Sequence, residues 1–232
     1  MLKWIITFAV FLCTNVASVQ AASTEVKDLL FLEAHAYRLT ADASILSLQE
    51  GGARYHRRLD NTIRSGNDVA GRVEPRWPGV ASQWQKSTTF VNNQRQVAAS
   101  NSDVNFVNDL KEIQAQLYSK IKAAKDSLSF EETSEDNLAA LTAMVALEQM
   151  VEEYMLFNVN VFGGLAETET SMKKNARIFR NAVAKMTDTS ARTQIMSKWS
   201  FIEKTLLNYN QQSATFIVMK TTDKIRELLV GA

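Results

Sequence analysis

The sequence predicts an all-α protein, a long antiparallel up-down-up-down four-helix bundle made of two helical hairpins. Three observations carry that prediction. Only two prolines and eight glycines occur in 232 residues, and helix interiors exclude both types. Apolar residues recur at alternating steps of four and three over long stretches, the seam of helices packed nearly parallel to their neighbours. A chain that is 46% hydrophobic and 22% charged has the composition of a folded globular protein.

The elements follow in order. Met1-Leu2-Lys3 is a short positive start, followed by an apolar stretch from Trp4 to Leu12 and by Val19-Gln20-Ala21, where a signal peptidase would cut. Residues 1–21 are therefore expected to be a secretory signal peptide, its apolar core too short to span a hydrocarbon layer of about 30 Å. Leu12 precedes Cys13 where a lipoprotein signal needs a small residue, so the one cysteine leaves with the signal. Without Lys3, 25 bases face 25 acids. No later segment approaches about 18 consecutive apolar residues, so no stable membrane span is expected after cleavage. An Asn-x-Ser/Thr sequon is also absent. The expectation is a bacterial periplasmic or secreted protein whose residues 22–232 form a single helical-bundle domain.

The first long segment runs through Leu29, Leu32, Ala36, Leu39, Ala43 and Leu46, meets Gly51-Gly52, and continues with Tyr55, Leu59 and Ile63. Pro75-Arg76-Trp77-Pro78 cannot continue a helix and ends it. Val107, Leu110, Gln114, Leu117, Ile121, Ala124 and Leu128 mark the second. After the polar stretch Ser129–Ser134, the third carries Ala140, Met144, Leu147, Val151, Tyr154, Asn158 and Val161. Its phase resumes beyond Gly163-Gly164 at Met172, Ala176, Phe179, Val183 and Met186. Thr187-Asp188-Thr189-Ser190 supplies capping groups for the fourth, seamed by Ile195, Trp199, Ile202, Leu206, Tyr209, Ser213 and Phe216.

A shift of 115 residues places Ser82-Gln83-Trp84 on Ser197-Lys198-Trp199 and Leu110-Lys111-Glu112-Ile113 on Ile225-Arg226-Glu227-Leu228. Leu39-Thr40-Ala41 pairs more loosely with Leu141-Thr142-Ala143, and both arms carry Gly-Gly. The chain thus reads as two repeats, 24–128 and 131–230, each unable to bury its own seam alone.

Leu147-Glu148-Gln149-Met150 with Tyr154, then Phe179, Val183 and Met186, then Trp199-Ser200-Phe201-Ile202 and Leu206-Leu207-Asn208-Tyr209-Asn210 resemble the N-terminal sensor domain of type IV pilus methyl-accepting chemotaxis transducers. That family is related to the nitrate/nitrite sensor bundles. The resemblance covers residues 138–230 well and 24–128 faintly. It implies a periplasmic, ligand-sensing helical repeat. The family's Arg-Met-Leu-Ser-Gln-Arg type of motif is replaced by Tyr37-Arg38-Leu39-Thr40-Ala41-Asp42, and the second membrane span, signalling hairpin and methylation region are missing. A signalling role therefore needs a separate partner.

The residues themselves argue against most chemistry. Balanced charge leaves no field for nucleic acid. Glu-x-x-His, which di-iron bundles require, does not occur. His35 and His56 lie 21 residues apart, about 31 Å along a continuous helix, too far to share a metal. Glu148, Glu152 and Glu153 could hold a hard cation, act as an acid pair or line a solvated face. No phosphate-binding glycine loop or nucleophile elbow is present. No cofactor, metal or enzymatic activity is expected.

Arg54, His56, Arg57 and Arg58 follow Gly51-Gly52, where a kinked helix would free backbone amides beside three guanidinium forks suited to carboxylates, nitrate or phosphate. They are the candidate ligand-binding residues, with Asp60 nearby as a competing charge. Asn158, Ser213 and Gln114 fall on apolar seams, where polar residues fix register. Trp77, between two prolines, is the candidate partner contact. The expectation is a non-enzymatic periplasmic sensor or binding protein for a small anion or an envelope protein, with a second copy of the chain as a further candidate partner. The alternative is a structural or assembly accessory factor of an envelope or pilus machine.

Overall fold

The computed structural model describes residues 2–100, 105–128, 135–159, 165–208 and 214–231, with side chains from Thr24 on except 135–137 and 165–169. Among the described residues the helices are α1 (Leu2–Leu48), α2 (Ala53–Val73), α3 (Pro78–Asn93), α4 (Arg95–Ser100), α5 (Asn105–Asp126), α6 (Glu135–Val159), α7 (Leu165–Lys185), α8 (Thr189–Leu207) and α9 (Thr215–Val230). No strand occurs among the described residues. The all-α expectation holds.

The long arms do not. Each is folded back on itself, most clearly where α2 returns along α1. Asp42 of α1 meets Arg58 and Thr62, Asp28 meets Arg72, and Glu25 pairs with Arg76 just beyond α2, a ladder only an antiparallel hairpin can make. Gly51-Gly52 is therefore a chain reversal and not a kink. Glu50 and Gly51 both take positive φ, 47° and 72°, the left-handed geometry that closes a helix. The Gly51 N–H donates to the Leu46 carbonyl at 3.0 Å. A Cβ on Gly51 would stand 2.8 Å from that of Ala99 in α4, so the short α4 seals the turn. Heptad spacing cannot separate a helix that continues from one that reverses, because either keeps the same residues facing the core.

The second arm divides likewise: α3 and α5 run antiparallel, with Gln83 reaching the Ile113 carbonyl, Ser87 reaching Gln114, and Phe90 stacked on Phe106. Gln149 and Glu153 of α6 both meet Ser171 of α7, so that pair is a hairpin too. Its Gly163-Gly164, together with Val161, Ser134, Tyr209 and Ser213, lies outside the described residues. α8 ends at Leu207 and α9 restarts at Thr215 with a new phase. Phe216, expected on the seam, is consequently 44% exposed.

Packing closes two rings of four helices. α1 packs on α2, α2 on α3, α3 on α5, and α5 returns to α1, while α6, α7, α8 and α9 close the same circuit. The most extensive contact in the molecule, α1 against α6, joins the rings. A helix shared by two rings has no solvent face. Every residue from Leu39 to Ser47 is accordingly buried, and α6 is buried or half-buried throughout 138–156.

The local signals act where expected. Pro78 is the first residue of α3, where its missing N–H costs nothing, and Trp77 immediately precedes it. Asp188 caps α8, accepting from the backbone N–H groups of Ser190 at 2.8 Å and Ala191 at 3.0 Å. Trp84 and Trp199 are both fully buried. At the same shift of 115 residues, Val80, Val91 and Leu110 fall on Ile195, Leu206 and Ile225, all buried. Among the described residues no helix is long and apolar enough to cross a membrane.

Candidate functional site

The interior polar residues of the two rings have different fates. In the first ring Gln114 donates to the Ala36 carbonyl at 3.1 Å and accepts from Ser87 at 3.3 Å, tying α5 to α1 and α3. It is 1% exposed. This confirms a packing role for a polar residue on a seam. Asn158 does the same within α6, donating to the Tyr154 carbonyl at 2.7 Å.

At the junction of α1, α2, α6 and α9 the interior is charged instead. Asp42, fully buried, accepts from Thr62 at 2.6 Å and from Arg58, and Arg38 stands 3.6 Å away, within ion-pair reach but beyond a hydrogen bond. Arg58 also pairs with Asp223 of α9, Asp223 pairs with Arg226, and Arg226 reaches across to Glu148 of α6. Three acids and three arginines thus form one chain through four helices. Buried pairs of this kind do not by themselves add stability, since desolvating the ions offsets their attraction. The chain is also incomplete: the Nη2 groups of Arg58 and Arg226 and Oε2 of Glu148 are buried without a hydrogen-bond partner.

Those unpartnered guanidinium groups line a cleft of about 680 Å³. Arg38, Arg54, Arg57, Arg58 and Arg226 surround it, with Asn61, Asp223, Glu227 and Val230. Burial works against charge on Arg58, but Asp42 and Asp223 more than compensate and hold it protonated. Asp223, which burial alone would push up, is held below the usual carboxylate range by Arg58 and Arg226. All three acids of the network are engaged by arginine. Arg57 is exposed and makes no ion pair among the described residues.

Three of the four residues singled out from sequence, Arg54, Arg57 and Arg58, meet in this cleft; His56 is half-buried and does not line it. The Gly51 and Gly52 N–H groups bond the Leu46 and Gln49 carbonyls. Asp60 does not compete for the cleft: it pairs with Arg95 of α4 at 2.6 Å. Arg38, Arg226 and Asp223 were not singled out. Their signal was weak, though Arg38 and Asp42 do stand four residues apart on one helix.

Two other expectations change. Glu148 and Glu152 lie on no solvated face, being 1% and 6% exposed. Glu152 accepts from Tyr118 at 2.6 Å; burial, opposed by the hydrogen bonds of Tyr118 and Thr40, pushes its carboxyl up to about 8. Among the described residues no group of three acidic, histidine or cysteine side chains could hold a metal ion. His35 is half-buried, and burial first, then the Arg38 and Arg226 charges, lower it to about 4, so it is neutral at physiological pH. Trp77 packs partly against the core with the Arg76 guanidinium 4.9 Å from its ring centroid. The chain matches no protein-family model, no curated protein and no solved structure.

Proposed function

We propose that this chain is a non-enzymatic helical sensor or binding protein that receives a small anion in the arginine cleft between α1, α2 and α9. One observation carries the reading: five arginines converge on the cleft, and two of them hold buried N–H groups with nothing to bond. Guanidinium forks match carboxylate and oxyanion geometry. A bound anion would meet the guanidinium groups that line the cleft. The acids of the cleft are engaged by arginine or lysine, which favours binding over acid–base chemistry. Because the network crosses from one ring to the other through Arg58 and Asp223, ligand there bears directly on how the rings pack, and that is the step by which binding would reach a partner. The resemblance to pilus chemotaxis sensor domains and the signal-like residues 1–21 favour an exported protein with the partner in the cell envelope.

The alternative, an envelope or pilus assembly factor, draws on the exposed Phe201, which is 66% exposed on α8 far in sequence from the cleft residues.

Thermal unfolding of the purified protein with nitrate, phosphate and small carboxylates tests the proposal. A ligand at 100 times its Kd raises stability by about 2.7 kcal/mol, a clear rise in Tm. Arg57→Ala, which breaks no internal pair, should abolish the rise without lowering the unliganded Tm. No rise with any anion would refute the reading.

A further inference from the structure

We infer that the ligand of the arginine cleft is an aromatic anion, a carboxylate or phosphate carrying a single flat ring. This deepens the anion-binding reading and rests on it. Beside the arginine cleft lies a second chamber of about 220 Å³, and Arg54, Arg58 and Asp223 line both. The remaining lining differs in kind: Tyr55, Phe216, Met219 and Lys220. Alone this chamber is smaller than the roughly 300–1,000 Å³ of a typical ligand pocket, so it is suited to one group of a ligand held next door.

Its walls are flat. The Arg54 guanidinium lies between two rings, 4.5 Å from the Tyr55 centroid and 4.6 Å from the Phe216 centroid. One Nη of Arg54 donates to the Tyr55 hydroxyl; the stacked guanidinium keeps its remaining in-plane N–H groups for an anion and presents its face to aromatic groups. Phe216 is 44% exposed while Met219 behind it is buried, so the chamber has an apolar floor and an apolar rim open to solvent. An exposed phenylalanine has no packing reason to be there. A ring in the chamber would cover it while an attached carboxylate or phosphate met Arg58, Arg226 and Arg57. A straight acyl chain would fill the same volume but would gain nothing from the stacked arginine.

Calorimetric titration with phenyl phosphate, benzoate, inorganic phosphate and acetate tests this, using the full chain, Phe216→Ser and Arg57→Ala. Phenyl phosphate and benzoate should each bind at least tenfold more tightly than phosphate and acetate. Phe216→Ser, an exposed position that leaves the core intact, should remove that preference while retaining inorganic phosphate. Equal affinity for aryl and plain anions, or a preference unchanged in Phe216→Ser, would overturn the aromatic assignment and leave the anion site standing. Binding of none of the four would bring down both, and binding undiminished in Arg57→Ala would place the anion outside this cleft and overturn the assignment as well.

Discussion

The two rings repeat one plan and differ in what they bury. Both run through four helices, and both place a fully buried tryptophan at the same point of the circuit. In the first, the polar contact among α1, α3 and α5 is neutral and closed, Gln114 joining Ser87 and the Ala36 carbonyl, while Asp42 and Arg58 of α1 and α2 belong to the charged chain. In the second, at the equivalent helix, Arg226 occupies the position that the 115-residue shift assigns to exposed Lys111. Moving that charge inward required Glu148 from α6 and Asp223 from α9, and it still left Arg226 Nη2 unbonded. A closed neutral network fixes register. An open charged one leaves buried donors and an acceptor unpaired.

Substitutions can break this contrast. The largest effect is expected at Glu148→Ala, which leaves Arg226 buried without its main counter-ion; breaking such a pair costs about 3–5 kcal/mol. Gln114→Leu, the neutral counterpart, should cost only about 1–2 kcal/mol through the loss of its bonds to the Ala36 carbonyl and Ser87, which keep Thr40 and Gln83 as partners. Chemical denaturation measures both, and similar losses would mean that the two networks do the same job.

The next effect depends on pH. Glu152 lies where α5 and α6 meet across the rings, beside Tyr118, Thr40, Tyr37, Glu153 and the charge of Lys111. Its folded carboxyl stays protonated up to about pH 8, against an ordinary value near 4.3 in the unfolded chain. The folded form therefore binds the extra proton, so the stability this group contributes is complete below the unfolded pKa and is lost as pH rises towards 8. Glu152→Gln should unfold at the same denaturant midpoint as the parent near pH 4, and at a higher one near pH 8. Parallel pH profiles would contradict the assignment.

A smaller effect separates the two tryptophan sites. Trp84 lies flat on Gly66 and donates to Asn67 at 2.8 Å, whereas Trp199 packs on Phe179, with ring centroids 4.5 Å apart, and its Nε1 is unbonded. A Cβ at Gly66 would stand 2.1 Å from the Trp84 ring. Gly66→Ala would ordinarily favour a helix by about 1 kcal/mol; here it should destabilise by about 1–3 kcal/mol through overpacking. A stabilised variant would show that the ring moves aside.

Much of the fold was legible in sequence. The seams named buried residues almost throughout, because the apolar face of a helix is marked by spacing alone. Chain reversal was not legible, since Gly51-Gly52 serves a kink or a turn equally well and only the return of Arg58 to Asp42 distinguishes them. Half of the site could be read for a related reason. Arg54, Arg57 and Arg58 announce themselves by clustering on one turn, while Arg38 and Arg226 join them from distant helices, and their burial is a property of the ring packing. Glu148 and Glu152 misled because charged residues on a helix are usually solvated, a rule that fails on a helix shared by two rings.

The most direct test of the anion site is NMR of the arginine side-chain Nε–H groups during titration with phosphate. Saturable shifts at Arg58 and Arg226, with none at Arg180, which pairs with Glu203 outside the cleft, are the predicted result. Shifts that grow linearly and equally at all arginines, or no shift at Arg58 and Arg226, would contradict it.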